Sequence, residues 1–107
     1  MPKRKISDVR LSSRASTDLV DIAEYIASSE SDASANRVIA RILGAIKSLK
    51  RGAFLWRERD ELFKSARIVR AHPYAILYRV DGAEVLVVRI AHGRRDLEAL
   101  FLDDRDI

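Results

Sequence analysis

Apolar and polar positions change period several times along the chain, and each change marks an element. Val9 and Leu11 alternate with polar neighbours in residues 6–11, the two-residue period of a short strand. From residue 15 the period lengthens: Leu19, Ile22, Ala23 and Ile26 form a helical stripe over 15–29, with Ser13 or Ser16 as the expected cap. Ser31-Asp32 then reads as a turn and a fresh cap. Ala35, Val38, Ile39, Ile42, Ile46 and Leu49 mark a second, longer helix that ends near Gly52. So short a link makes the two helices an antiparallel hairpin whose shared stripe covers a sheet.

Residues 52–65 lose periodicity. Phe54, Leu55, Trp56, Leu62 and Phe63 stand among alternating charges, and the expectation is a loop that tucks them under the helices. The alternative is an exposed aromatic and basic surface for a partner or nucleic acid. Strands follow at 67–71, 74–80 and 85–92, the last two joined at Asp81-Gly82, a strong hairpin signal. Val85–Ile90 is apolar on both faces except at Arg89, as in a central strand covered on both sides. The chain therefore reads as α+β: an N-terminal strand, an antiparallel two-helix hairpin and a three-stranded antiparallel sheet, β-α-α-β-β-β, in a single domain spanning 1–107. No repeat, linker or low-complexity segment interrupts it.

Composition narrows the function less than the pattern does. The 107 residues are 48% hydrophobic and 34% charged, typical of a globular chain. No apolar run approaches a membrane span, and Met1-Pro-Lys-Arg-Lys precedes no apolar stretch that would make a signal peptide. With no cysteine there is neither a disulfide framework nor a thiolate zinc site, which suits a reducing cytoplasm. Net charge is +4 but unevenly placed. Residues 15–30 carry only acids (Asp18, Asp21, Glu24, Glu30), and 33–51 only bases (Arg37, Arg41, Lys47, Lys50, Arg51). Residues 96–107 carry Asp96, Glu98, Asp103, Asp104 and Asp106 against Arg105. Such blocks usually form solvated helix faces, and the acids of the first helix are expected on such a flank.

The chemistry concentrates where the last strand ends, at Arg89, His92, Arg94 and Arg95. A two-residue turn at 81–82 would set Arg79 opposite Glu84, a surface pair of small worth. It would also set Tyr74 opposite Arg89, and His92 opposite Ala71 beside His72. Both histidines would then meet at one sheet edge with Arg89, Arg94 and Arg70 nearby. One imidazole could take a 2′-hydroxyl proton, the other could protonate a leaving 5′-oxygen, and arginines could hold the transition-state charge, a set suited to RNA cleavage. Against this, His72 before a proline is an ordinary turn residue, and His92 can simply end a strand. No spacing suggests a metal site, no glycine-rich loop could hold a nucleotide, and Ser12 and Ser13 suit capping rather than nucleophilic attack. No cofactor is expected.

The element order and the run PYAILYRV…VLVVRIAHGRRD resemble the RelE/ParE toxin superfamily, its ParE branch in particular. Upstream, Ala15-x-x-Asp18-Leu19-x-x-Ile22-x-x-Tyr25-Ile26 is similar to the first family helix, Ala35–Leu49 to the second, and Arg67 to the arginine that opens the family's second strand. The most specific segment is Arg89-Ile-x-His92-Gly93-Arg94-Arg95-Asp96, whose glycine has no motive in the pattern itself. The resemblance implies a cytoplasmic bacterial type II toxin that inhibits DNA gyrase, blocks replication and arrests growth, and that a ParD-type antitoxin neutralises. Arg89, His92, Arg94 and Arg95 would bind the target. An acidic antitoxin arm would suit the surface near Arg37, Arg41 and Lys47. The alternative is a ribosome-dependent mRNA endoribonuclease of the RelE type using His72, His92 and Arg89. That branch typically ends in tyrosine or further basic residues, whereas residues 97–107 here are acidic and lack tyrosine.

Overall fold

The computed structural model describes residues 5–93. Six elements follow the expected order: β1 (Asp8–Leu11), α1 (Ser13–Ser29), α2 (Asp32–Gly52), β2 (Arg67–Ala71), β3 (Tyr74–Asp81) and β4 (Glu84–His92). The strands form one sheet in the order β1-β4-β3-β2, with β1 parallel to β4 and the other pairs antiparallel. The N-terminal strand thus joins the three antiparallel strands at the β4 edge.

Capping fixes both helix starts. The Ser12 hydroxyl accepts the Ala15 N–H at 3.0 Å, so α1 begins earlier than a cap at Ser13 or Ser16 would allow. Ser31 caps α2 in the same way through the Ser34 N–H, also at 3.0 Å. Asp32 in the first turn of α2 and Lys50 and Arg51 in the last complement the helix dipole. Ala15 and Ile26 of α1 and Ala35, Ile42, Ile46 and Leu49 of α2 bury their stripe against Val69, Ile76, Tyr78, Val85, Val87 and Ile90. On the far side of the sheet Ile68, Ala75, Leu77 and Ala91 form a smaller cluster that Leu62 and Phe63 cover. Residues 74–78 of β3 are all buried, as a strand covered on both faces must be.

Two expectations need correction. The loop does not tuck its aromatics under the helices. Leu62 and Phe63 pack on the opposite face of the sheet, while Phe54, Leu55 and Trp56 stay 39%, 80% and 45% exposed. The cause is polar. Arg67 donates to the Trp56 carbonyl, pairs with Glu58 at 3.2 Å and lies over the Phe54 ring. The buried Tyr78 hydroxyl donates to the Ala53 carbonyl at 2.7 Å. These bonds pin the chain before its apolar side chains could turn inward.

The hairpin register is the second. Asp81 pairs with Glu84, so the two loop residues are Gly82 and Ala83. Gly82 has φ +61°, and it alone of the two is left-handed, the pattern of a turn with glycine first. Arg79 consequently faces Leu86 and pairs with Asp81 at 3.0 Å, while Glu84 pairs with Arg10 at 3.4 Å. Val88 then bulges: Tyr78 pairs with Val87 but Leu77 with Arg89. Past the bulge, Tyr74 faces His92 rather than Arg89, and Ala71 faces Tyr74 rather than His92.

Candidate target-binding site

Arg89 was expected to bind the target with His92, Arg94 and Arg95, and the structure pairs it with Asp18 of α1. Its Nε and NH2 donate to the two carboxylate oxygens of Asp18 at 2.9 and 3.2 Å, and the side chains are only 13% and 14% exposed. Asp18 is therefore not on a solvated flank. The Asp18 oxygen that holds Nε also accepts the backbone N–H of Ile90 at 2.9 Å. The third guanidinium nitrogen, NH1, is buried with no hydrogen-bond partner among the described residues. Ser13, Arg14, Thr17 and Asp21 surround the pair and with it line a cavity of about 310 Å³. The guanidinium is therefore committed to Asp18 within the fold.

Sequence reasoning missed Asp18. The signal was present: a lone arginine in an otherwise apolar strand needs a carboxylate, and the first helix carries only acids. What no pattern shows is the bulge at Val88, which takes Arg89 out of alternation with Val85 and Val87.

His92 closes β4. It is exposed, and its ring meets Tyr74 edge-on with centroids 5.2 Å apart. Gly93 follows with φ +64°, and its N–H donates to the Pro73 carbonyl at 2.9 Å. The motive for this glycine is thereby found: the chain leaves the sheet through a left-handed residue that a side chain would strain. His72 is exposed in the turn between β2 and β3, at the same end of the sheet as His92, and has no polar partner among the described residues. The two imidazoles share a sheet end but are not joined to Arg89. Arg70 is exposed on β2. Arg94 and Arg95 lie outside the described residues.

On the other helix, Arg37, Arg41 and Lys47 are all exposed, with Arg37 bonded to the Ser34 hydroxyl at 3.1 Å. Lys47 and Lys50 flank a groove of about 260 Å³ whose apolar floor is Val9, Leu43 and Ile46 and which runs beside the edge strand β1. Among the described residues no group of three or more potential ligands could hold a metal, and no helix is long and apolar enough to cross a membrane.

Residues 9–97 match the family described as the ParE toxin of the type II toxin–antitoxin system parDE. The chain belongs to the ParE toxin family. No curated protein matches it. Among solved structures, this ParE-type toxin is similar to a chain of the chromosomal ParDE toxin–antitoxin system from P. aeruginosa. The TM-score is 0.75 at 19% identity, covering 86% of this chain and 100% of that one. It is also similar to a chain of the toxin–antitoxin complex RelBE2 from Mycobacterium tuberculosis, with TM-score 0.62 at 19% identity over 84% and 99% of the two chains. At such identities the structural likeness establishes the RelE/ParE-like fold.

Proposed function

We propose that this ParE-type toxin inhibits DNA gyrase, without chemistry of its own, by presenting the cationic run that begins at His92, and that a cognate ParD-type antitoxin neutralises it. The observation that carries the reading is the burial of Arg89 against Asp18. It takes Arg89, the guanidinium named for the RNase set, away from the two histidines, although Arg70 on β2 stays exposed near them. What remains for a target is the exposed His92, followed through Gly93 by Arg94 and Arg95. Cations of this kind act through complementarity with an acidic protein surface or a DNA backbone. The antitoxin would engage α2 along Arg37, Arg41 and Lys47, where the groove supplies apolar anchorage beside exposed lysines. The cytoplasm, where gyrase acts, is the compartment this requires.

The alternative, cleavage of ribosome-bound message by His72 and His92, is favoured by one fact only: both imidazoles stand at one sheet end. A supercoiling assay with purified toxin, gyrase, relaxed plasmid and ATP separates the two. Loss of supercoiling that antitoxin restores, and that Arg94→Ala/Arg95→Ala abolishes in a still-folded protein, is the expected result. Unchanged supercoiling by a toxin that still arrests growth would refute the gyrase reading and move the site to the histidines, to be probed by message cleavage with His92→Gln.

A further inference from the structure

β1 pairs with β4 only from Glu84 to Val87. Beyond Val87 no strand lies along that side of β4 among the described residues. A bare edge there would leave backbone groups without partners. α1 takes the strand's place. Ser12 at its cap gives its N–H to the Val87 carbonyl at 2.9 Å and its hydroxyl to the Val88 carbonyl at 2.8 Å. Within the helix, Asp18 accepts the Ile90 N–H at 2.9 Å while holding Arg89 in its fork. The cap, the bulge at Val88 and the carboxylate thus act on successive residues of one strand.

We infer that Asp18 is a positioning residue for the target-binding run: it stands in for the missing strand beside β4. Through Arg89 and Ile90 it fixes the direction in which His92 and Gly93 lead the chain off the sheet.

A purely stabilising role fits the arrangement poorly. Apolar residues of similar volume often replace a buried ion pair without loss of stability, and Arg89 NH1 has no hydrogen-bond partner among the described residues. Direction is what the pair provides and two leucines could not. A two-toothed guanidinium–carboxylate bond fixes the relative orientation of both groups, and the same carboxylate holds the backbone of the next residue. Ile90 is two residues from His92 and three from Gly93, whose own N–H is tied to Pro73. Release at Ile90 therefore reaches the exit directly.

The assignment of the run to target binding rests on the gyrase reading, so the test has an arm that does not. Full-length Asp18→Ala, Asp18→Asn and Asp18→Leu/Arg89→Leu are compared with the parent by residue-resolved amide exchange, thermal melting and supercoiling inhibition. Asp18→Ala is expected to speed exchange at Ile90 and Gly93 by roughly tenfold or more while Val85 and Val87 keep their protection. Asp18→Asn, which retains one acceptor oxygen, should fall between it and the parent. If Asp18→Ala fails to fold, Asp18→Asn carries the comparison. The double leucine variant is expected to melt near the parent temperature yet lose inhibition. Full inhibition by that double variant, or parental Gly93 exchange when the Asp18 carboxylate is removed, overturns the inference. Arg94→Ala/Arg95→Ala runs beside these. If it still inhibits, the assignment of the run to target binding has failed instead, and exchange at Gly93 alone decides the role of Asp18.

Discussion

Tyr78 shows how one hydroxyl can hold a segment that apolar packing leaves loose. Its ring is fully buried between α2 and the sheet, and its O–H is the bond that anchors Ala53, the first residue after α2. Burial pushes its pKa up to about 12, so the hydroxyl remains a donor far above neutral pH. The sign of the pH effect follows. The folded protein disfavours the phenolate, so this contribution is complete below the unfolded value near 10 and is lost as pH rises toward about 12. Tyr78→Phe leaves the Ala53 carbonyl unpaired and is expected to cost about 1–3 kcal/mol. It should also flatten the decline in stability between those pH values, which denaturant titrations at pH 8, 10 and 11 would reveal. An undiminished alkaline decline in Tyr78→Phe would assign that decline to other groups.

The elements were legible in the sequence in proportion to how local their causes are. Both helices, and the existence and order of the strands, follow from apolar periodicity and serine caps, which act within a few residues. The hairpin itself was legible, yet its turn was placed one residue early and the register slipped, because Asp81 stays on the strand and only Gly82 takes positive φ. The Val88 bulge has no sequence signature here. It arises where β1 stops and α1 comes against β4, an event set by residues far away in the chain. The candidate site suffered most from that blind spot: the histidines were rightly placed at one sheet end, but Arg89 was counted as a free cation. Gly93 now offers a check on the exit. A Cβ there meets no atom within 4 Å, so any penalty is confined to the backbone at φ +64°. Gly93→Ala should lose about 1 kcal/mol, and Gly93→Asn, which tolerates that conformation better, should lose less. Equal stability of all three in thermal melts would show that the left-handed exit is not held in solution.

Over the whole molecule, α1, α2 and the sheet share one core, and the surfaces proposed for target and antitoxin lie on different parts of it. His92 leads the cationic run from the end of β4, whereas Arg37, Arg41 and Lys47 stand on α2. Neutralisation then need not cover the target-binding residues. The parallel pairing of β1 with β4 has a consequence in time. Asp8 meets Glu84 and Asp18 meets Ile90, contacts that close loops of more than seventy residues. Loop closure over such separations makes these pairings late and slow relative to local helix formation. On a ribosome, the N-terminal strand and the first helix must wait until β4 has been made before they find their places. A chain ending at residue 83 has helices but no β4 to receive them, and it is expected to show no cooperative melting by circular dichroism. If it melts cooperatively, the helical hairpin folds without the sheet. Otherwise the protein acquires its harmful form only once β4 has been made, and a translation product interrupted before that strand is inert.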